Sequence, residues 1–186
     1  MDSKLQIISG IYHGRKLNLP ADARPTQNMA RIALFNMLEG IITDTYAQFN
    51  VWDAFAGSGS LGIECLSRYP HAQVLFTDVA YKSIQTVRSN LAMLSIGGRA
   101  QTYHGDAIAA IPRWAVISDV IFVDPPYPLA NLGVAFVRRL GKIVRKGTIV
   151  VWEQEASNFS APNEQKWQIL RDKTYGRARF LILAKI

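Results

Sequence analysis

An apolar run, Val51-Trp52-Asp53-Ala54-Phe55, leads directly into Gly57-x-Gly59-x-x-Gly62 and a helical stretch from Leu61 to Arg68. Strand, glycine turn and helix in that order constrain the fold more than any other feature of the chain. Such a turn lets backbone approach a ligand closely at the amino end of a helix, as in a doubly wound α/β unit. The alternation then continues. Val74 to Asp78 reads as a strand, residues 80–95 as a helix, Ala100 to His104 as a strand and Asp106 to Ile111 as a short helix. Val120 to Val123 is a fourth strand, residues 130–145 a helix and Thr148 to Trp152 a fifth strand. Strands alternating with helices predict a parallel sheet covered on both faces.

The flanks follow other patterns. Residues 4–19 read as two short strands around Gly10 and His13-Gly14, a small hairpin ending at Pro20. Thr26 is an expected N-cap for a helix running to Leu38-Glu39-Gly40, since Met29, Ile32, Ala33 and Met37 keep helical spacing. Trp167 to Lys173 and Ala178 to Ala184 flank Tyr175-Gly176 and read as a terminal hairpin that adds an antiparallel pair at one sheet edge. The expected organisation is a hairpin appendage over residues 1–25 and one α/β domain over residues 26–186.

Charge bears on the partner. Of the net +7, residues 126–186 hold eleven basic and four acidic residues, whereas residues 50–125 hold five and six. A one-sided positive surface suits a polyanion such as nucleic acid, and equally serves solubility. The one cysteine, Cys65, cannot form an internal disulfide; it reads as core packing, and a reducing cytoplasm is the expectation. Met1-Asp2-Ser3-Lys4 lacks a signal-peptide layout, and no run is apolar enough for a transmembrane helix. A monomer is the default expectation.

Four aspartates close four consecutive strands: Asp53, Asp78, Asp106 and Asp124. That edge is where doubly wound sheets bind ligands. Asp78 stands where ribose hydroxyls are accepted, and Asp106 where an adenine amino group is accepted. Asp53 precedes the glycines, where a carboxylate suits the amino-acid end of methionine and is out of place beside a pyrophosphate. The set favours S-adenosylmethionine over a nicotinamide cofactor. Each aspartate taken alone reads equally as a turn or helix cap.

Asp124-Pro125-Pro126-Tyr127 is the sharpest signal. Prolines after an apolar strand end its ladder and stiffen the loop. An exocyclic base amine is a poor nucleophile because its lone pair is delocalised into the ring. Two acceptors, the Asp124 side chain and the Pro125 carbonyl, can bind its hydrogens and aim its lone pair at a methyl donor. Tyr127 can stack on the base.

The chain resembles the RsmD family, methyltransferases acting on guanine N2 of small-subunit ribosomal RNA. The likeness runs through Ile8-Ser9-Gly10, Gly14-Arg15-Lys16-Leu17, Arg24-Pro25-Thr26, Leu34 to Leu38, Asp53 to Glu64, Leu66-Ser67-Arg68, Asn90-Leu91 and Asp124 to Tyr127. It implies a Rossmann-like class I S-adenosylmethionine methyltransferase, with a seven-stranded mixed sheet whose last strand is antiparallel. Asp53, Gly57, Gly59, Asp78 and Asp106 are then expected to bind cofactor, joined by the adjacent Phe55, Ser58 and Ala107. Asp124 to Tyr127 are expected to hold guanine. Asn28, Met29 and Ile32 depart from the usual Asp, basic residue and Glu.

Expected ribosomal RNA contacts are His13, Arg15 and Lys16 on the hairpin, with Arg24 and Arg31, all near the active edge. Arg138, Lys142 and Arg145 share helical spacing and read as a solvated face. The alternatives are a DNA adenine-N6 or cytosine-N4 methyltransferase, a protein glutamine methyltransferase, and a non-catalytic RNA-binding module.

Overall fold

The computed structural model describes residues 5–20, 28–42 and 48–186. Thr26 and Arg24 lie outside these residues. Seven strands form one sheet: β1 (Phe49–Asp53), β2 (Ala72–Asp78), β3 (Ala100–His104), β4 (Val120–Val123), β5 (Ile149–Glu155), β6 (Trp167–Tyr175) and β7 (Ala178–Lys185). Their order is β3-β2-β1-β4-β5-β7-β6. The first five run parallel, and β7 lies antiparallel between β5 and β6. The expected mixed sheet is therefore present. The terminal hairpin enters the sheet through its second strand, which leaves β6 at the edge.

Helices α1 (Asn28–Glu39), α2 (Ser60–Arg68) and α3 (Tyr81–Met93) cover one face; α4 (Ala107–Trp114) and α5 (Ala130–Leu140) cover the other. Alternation along the strands divides the core accordingly. Val51, Phe76, Phe122, Val151 and Phe180 pack towards α1, α2 and α3, while Trp52, Ile121, Val123, Val150 and Trp152 pack towards α4 and α5.

Two helices differ from expectation. α4 continues past Ile111 to Trp114 with Pro112 inside it. A proline there removes only one amide donor from a short helix. α5 stops at Leu140, where Gly141 begins a turn. Lys142 and Arg145 are thus off the helix, and Arg145 pairs with Asp119 at 2.7 Å.

The amino-terminal hairpin is held by the Gln6–Lys16 bridge and by amides of Ile7 and Leu17 donating to Arg15 and Leu5. Leu5, Ile7 and Leu17 are buried in the same core as α1 and α2. Its outer bonds go to three buried side chains. Glu64 accepts from the amides of Ile8 (2.8 Å) and Ser9 (3.0 Å), Ser67 Oγ from Tyr12 (3.0 Å), and Asn90 Oδ1 from Asn18 (2.8 Å).

Candidate active site

The glycine turn is fitted to the sheet by two different uses of glycine. Gly59 precedes α2 at φ +80°, a conformation that L side chains rarely adopt. A Cβ on Gly62 would lie 2.3 Å from the Phe76 ring, so α2 sits closer to β2 than any side chain permits. The carboxylates hold this arrangement. Asp53 Oδ2 accepts from the Gly62 amide at 3.0 Å, which satisfies a donor in the first turn of α2. Asp78 Oδ2 accepts from the Gly57 amide and Oδ1 from the Ala80 amide, both at 2.8 Å. Ser58 is buried, and its carbonyl accepts from Asn90 Nδ2 at 3.0 Å. Phe55 is half-buried against Phe136.

After β3, Asp106 caps α4 by accepting from the Ala109 amide at 2.7 Å, and Ala107 is buried behind it. The cap uses one carboxylate oxygen of two. Val79, beside Asp78, is 71% exposed and offers an apolar surface at the same edge. Asp53, Phe55, Gly57, Ser58, Gly59, Asp78, Asp106 and Ala107 thus gather at the carboxyl ends of β1, β2 and β3.

Asp124 leaves β4, next to β1. Alternation from Val51, Phe122 and Val151 puts Asp53, Asp124 and Glu153 on the face towards α1, on three neighbouring strands. Glu153 is the functional candidate that the sequence reading passed over. Its signal was present, since it follows the fifth strand's apolar run as the aspartates follow theirs. It is 5% exposed; Oε1 accepts from the Tyr127 hydroxyl at 2.9 Å, and Oε2 is buried without a partner among the described residues.

Burial raises all three carboxyls of the row. Burial pushes Asp53 to about 7, against a bond from the Gly62 amide. Burial, then the charges of Glu153 and Asp53, push Asp124 well above the usual carboxylate range. Burial takes Glu153 to about 7, although the Tyr127 bond opposes this. The Tyr127 phenol is pushed up by burial and by Glu153, so it stays a donor. With Asp53 and Glu153 both at about 7, the row carries less than its full negative charge at neutral pH. Pro125 is buried and Pro126 exposed. Among the described residues, no cluster of His, Cys, Asp or Glu has the form of a metal site.

Among the described residues, the basic side chains expected at this edge do not join it. Arg31 is fully buried, and its guanidinium donates to the Gln6 carbonyl and to Asn28 Oδ1. It ties α1 to the amino-terminal segment and is not a surface phosphate contact. Arg15 donates to the Met93 carbonyl at 3.2 Å, and the amide of Ile11 to the Ser67 carbonyl. Met93 ends α3 and Ser67 lies in the last turn of α2. Both helices start at the carboxyl edge and return towards the amino edge. His13, Arg15 and Lys16 are exposed on a hairpin tip packed against those returning ends, away from the carboxylate row.

The strand order, glycine turn and carboxylate edge define a class I methyltransferase sheet. Residues 5–184 match the family described as Conserved hypothetical protein 95, the RsmD family, and the chain belongs to it. It is 32% identical over 181 residues to Ribosomal RNA small subunit methyltransferase D of Escherichia coli K12, covering 95% of this chain and 88% of that protein. A solved Escherichia coli structure, yhhF, superposes with a TM-score of 0.79 at 28% identity, covering 98% of both chains. An RNA methyltransferase from Salinibacter ruber, in complex with S-adenosyl-L-homocysteine, shares the fold at a TM-score of 0.62 and 17% identity, over 86% of this chain and 92% of that one.

Proposed function

We propose that this protein is an S-adenosylmethionine-dependent methyltransferase that modifies the exocyclic N2 of a guanine in small-subunit ribosomal RNA. The observation that carries the reading is the placement of Asp124-Pro125-Pro126-Tyr127 one strand from the glycine turn, with Tyr127 held by Glu153. The family and its ribosomal RNA methyltransferase relative support the substrate class.

The residues present fit the cofactor. Asp78 keeps lone pairs for ribose hydroxyls while its backbone bonds fix the turn. Val79 offers a flat ring an apolar face, the second oxygen of Asp106 is a ready acceptor for an amino group, and Asp53 lies beside the turn. When bound, S-adenosylmethionine supplies an electrophilic methyl on a sulfonium.

The chain's own residues prepare the nucleophile. The Asp124 carboxylate and the Pro125 carbonyl accept the two amine hydrogens, which turns the nitrogen lone pair out of conjugation and along the line of transfer. Tyr127, its hydroxyl fixed on Glu153, stacks on the base. As the new N–C bond forms, positive charge develops on nitrogen, and the Asp124 carboxylate stabilises it. The nitrogen then gives up one proton, and Asp124 is placed to receive it.

Labelled methyl transfer tests the reading. Offered immature small subunits, naked ribosomal RNA, duplex DNA and release factor, the protein is expected to label small-subunit RNA, and digestion to nucleosides to yield N2-methylguanosine. Label in DNA as N6-methyladenine or N4-methylcytosine would replace this reading with the DNA alternative.

A further inference from the structure

We propose that the β6–β7 hairpin is the docking surface for the single-stranded RNA that flanks the target base, with Arg177 as its contact beside the reaction centre. The proposal rests on the RNA methyltransferase reading above.

Topology puts the hairpin there. β7 runs antiparallel to β5, and Ala178 pairs with Glu155. The turn Gly176-Arg177 therefore stands beyond the carboxyl end of β5, on the edge that carries Asp124 and Glu153. The amide of Ala156 donates to the Arg177 carbonyl at 2.8 Å and fastens the turn to that edge. The Arg177 guanidinium carbon lies 5.9 Å from the centroid of the Tyr127 ring, within cation–π reach of the ring assigned to the base.

Register sorts the cations. Glu153 pairs with Phe180, and Phe180 with Lys173. Lys173 thus shares the face of the carboxylate row, two strands and about 10 Å from Glu153. Arg171 pairs with Ile182 and Tyr175 with Ala178, so both lie on that face too. β6 is exposed along most of its length. Arg179 is on the other face, bound to Asp172 through two hydrogen bonds and stacked on Phe159 at 3.6 Å. Its charge is already answered. Arg177 pairs with Glu155 beside the Tyr127 ring, with 70% of its side chain exposed. An exposed pair of that kind is weak and screened, so a phosphate can displace the carboxylate.

Residues 166–186 carry six basic residues against Asp172 alone. The other basic groups considered above lie elsewhere: Arg31 is buried, Arg15 caps α3, and Arg138 is in the last turn of α5. An edge strand with cations spaced two apart, leading to an arginine beside an aromatic ring, matches the needs of a single strand. Phosphates meet the cations, and the extruded base meets the ring.

The test compares the double variant Lys173→Gln/Arg177→Gln with wild type and with Arg138→Gln. Filter binding measures affinity for a single-stranded transcript of small-subunit ribosomal RNA over a range of salt. Calorimetry of S-adenosylmethionine checks that each variant retains its cofactor site. The double variant is expected to lose about tenfold or more in RNA affinity at low salt, and about 1.4 units of the log–log salt slope, roughly 0.7 for each phosphate contact to a single strand. KM for RNA should rise more than kcat falls, with cofactor affinity kept. Arg138→Gln is expected to keep the wild-type slope. A double variant with wild-type affinity and slope overturns the proposal. So does an equal loss in Arg138→Gln, which would make the effect one of net charge. If wild type itself neither binds nor methylates RNA, the functional reading fails and the proposal with it. Binding only to a small-subunit protein would assign the hairpin to a protein partner instead.

Discussion

The Tyr127 hydroxyl donates to Glu153 Oε1 at 2.9 Å, across the gap between the loop after β4 and the end of β5. A loop proposed to present a flat ring to a base is anchored to the rigid sheet at one atom. The anchor is a carboxyl whose other oxygen is buried without a partner among the described residues. Tyr127→Phe keeps the ring and removes the anchor. Methyl transfer is expected to fall about tenfold, with a larger fall for Tyr127→Ala, as single-turnover rates with saturating RNA would report. Equal rates for wild type and Tyr127→Phe would make the hydrogen bond incidental.

Glu153 makes the free protein sensitive to pH. Its carboxyl moves from 4.5 to about 7 on folding. Between those values the folded chain holds a proton that the unfolded chain has released, so this group's contribution to stability falls as pH rises through the window. Glu153→Gln has no such proton and still accepts from Tyr127. The variant should gain about 1–3 kcal/mol on wild type between pH 5 and pH 8, read as a widening gap in urea midpoints. A gap independent of pH would show that the carboxyl is not raised.

Asp124 is proposed to stabilise the positive charge on nitrogen and to receive its proton, so it must be ionised. Its raised pKa predicts activity that climbs with pH beyond the usual carboxylate range. Glu153→Gln removes a like charge and should move that climb to lower pH. Asp124→Ala is expected to cost at least about a hundredfold in turnover while calorimetry finds the cofactor still bound. Asp124→Asn retains one acceptor oxygen and should keep more activity, without the pH-dependent rise. Undiminished turnover by Asp124→Ala would remove it from the mechanism.

Asp78→Ala deletes the proposed ribose acceptor and two backbone bonds that shape the glycine turn. Losing hydrogen bonds to a charged group predicts S-adenosylmethionine affinity weaker by about tenfold to a hundredfold. Unchanged affinity would mean that the ribose is held elsewhere.

Glu64 is a structural carboxylate far from the chemistry. It accepts from Ile8 and Ser9, pairs with Arg68, and is fully buried. Glu64→Ala leaves the Ile8 and Ser9 amides without their acceptor and Arg68 with Glu39 as its remaining ion-pair partner among the described residues, at a cost of about 2–4 kcal/mol. Trypsin should then cut at Arg15 or Lys16 well below the temperature at which wild type is cut. Resistance equal to wild type would show that the hydrophobic contacts of Leu5, Ile7 and Leu17 suffice.

Local periodicity was enough to reveal the alternating strands, the glycine turn and the four aspartates, because each is written in neighbouring residues. Gly62 follows from the same local logic, since a helix that crosses a strand closely leaves no room for a Cβ. The Asp124-Pro125-Pro126-Tyr127 motif is likewise written in neighbouring residues and was legible before any packing was known. What the amino-acid order left undetermined depends on residues far apart in the chain. Glu153 reaches Tyr127 only because β5 pairs with β4, and Arg177 reaches it only because β7 inserts antiparallel beside β5. Arg31 looked like one more surface cation until α1 closed over the amino-terminal segment, and burial is not written in a residue's neighbours. The hairpin of residues 5–19 was legible as a hairpin, but its docking site was not. That site is set by Glu64, Ser67 and Asn90, three polar side chains whose partners lie more than fifty residues away.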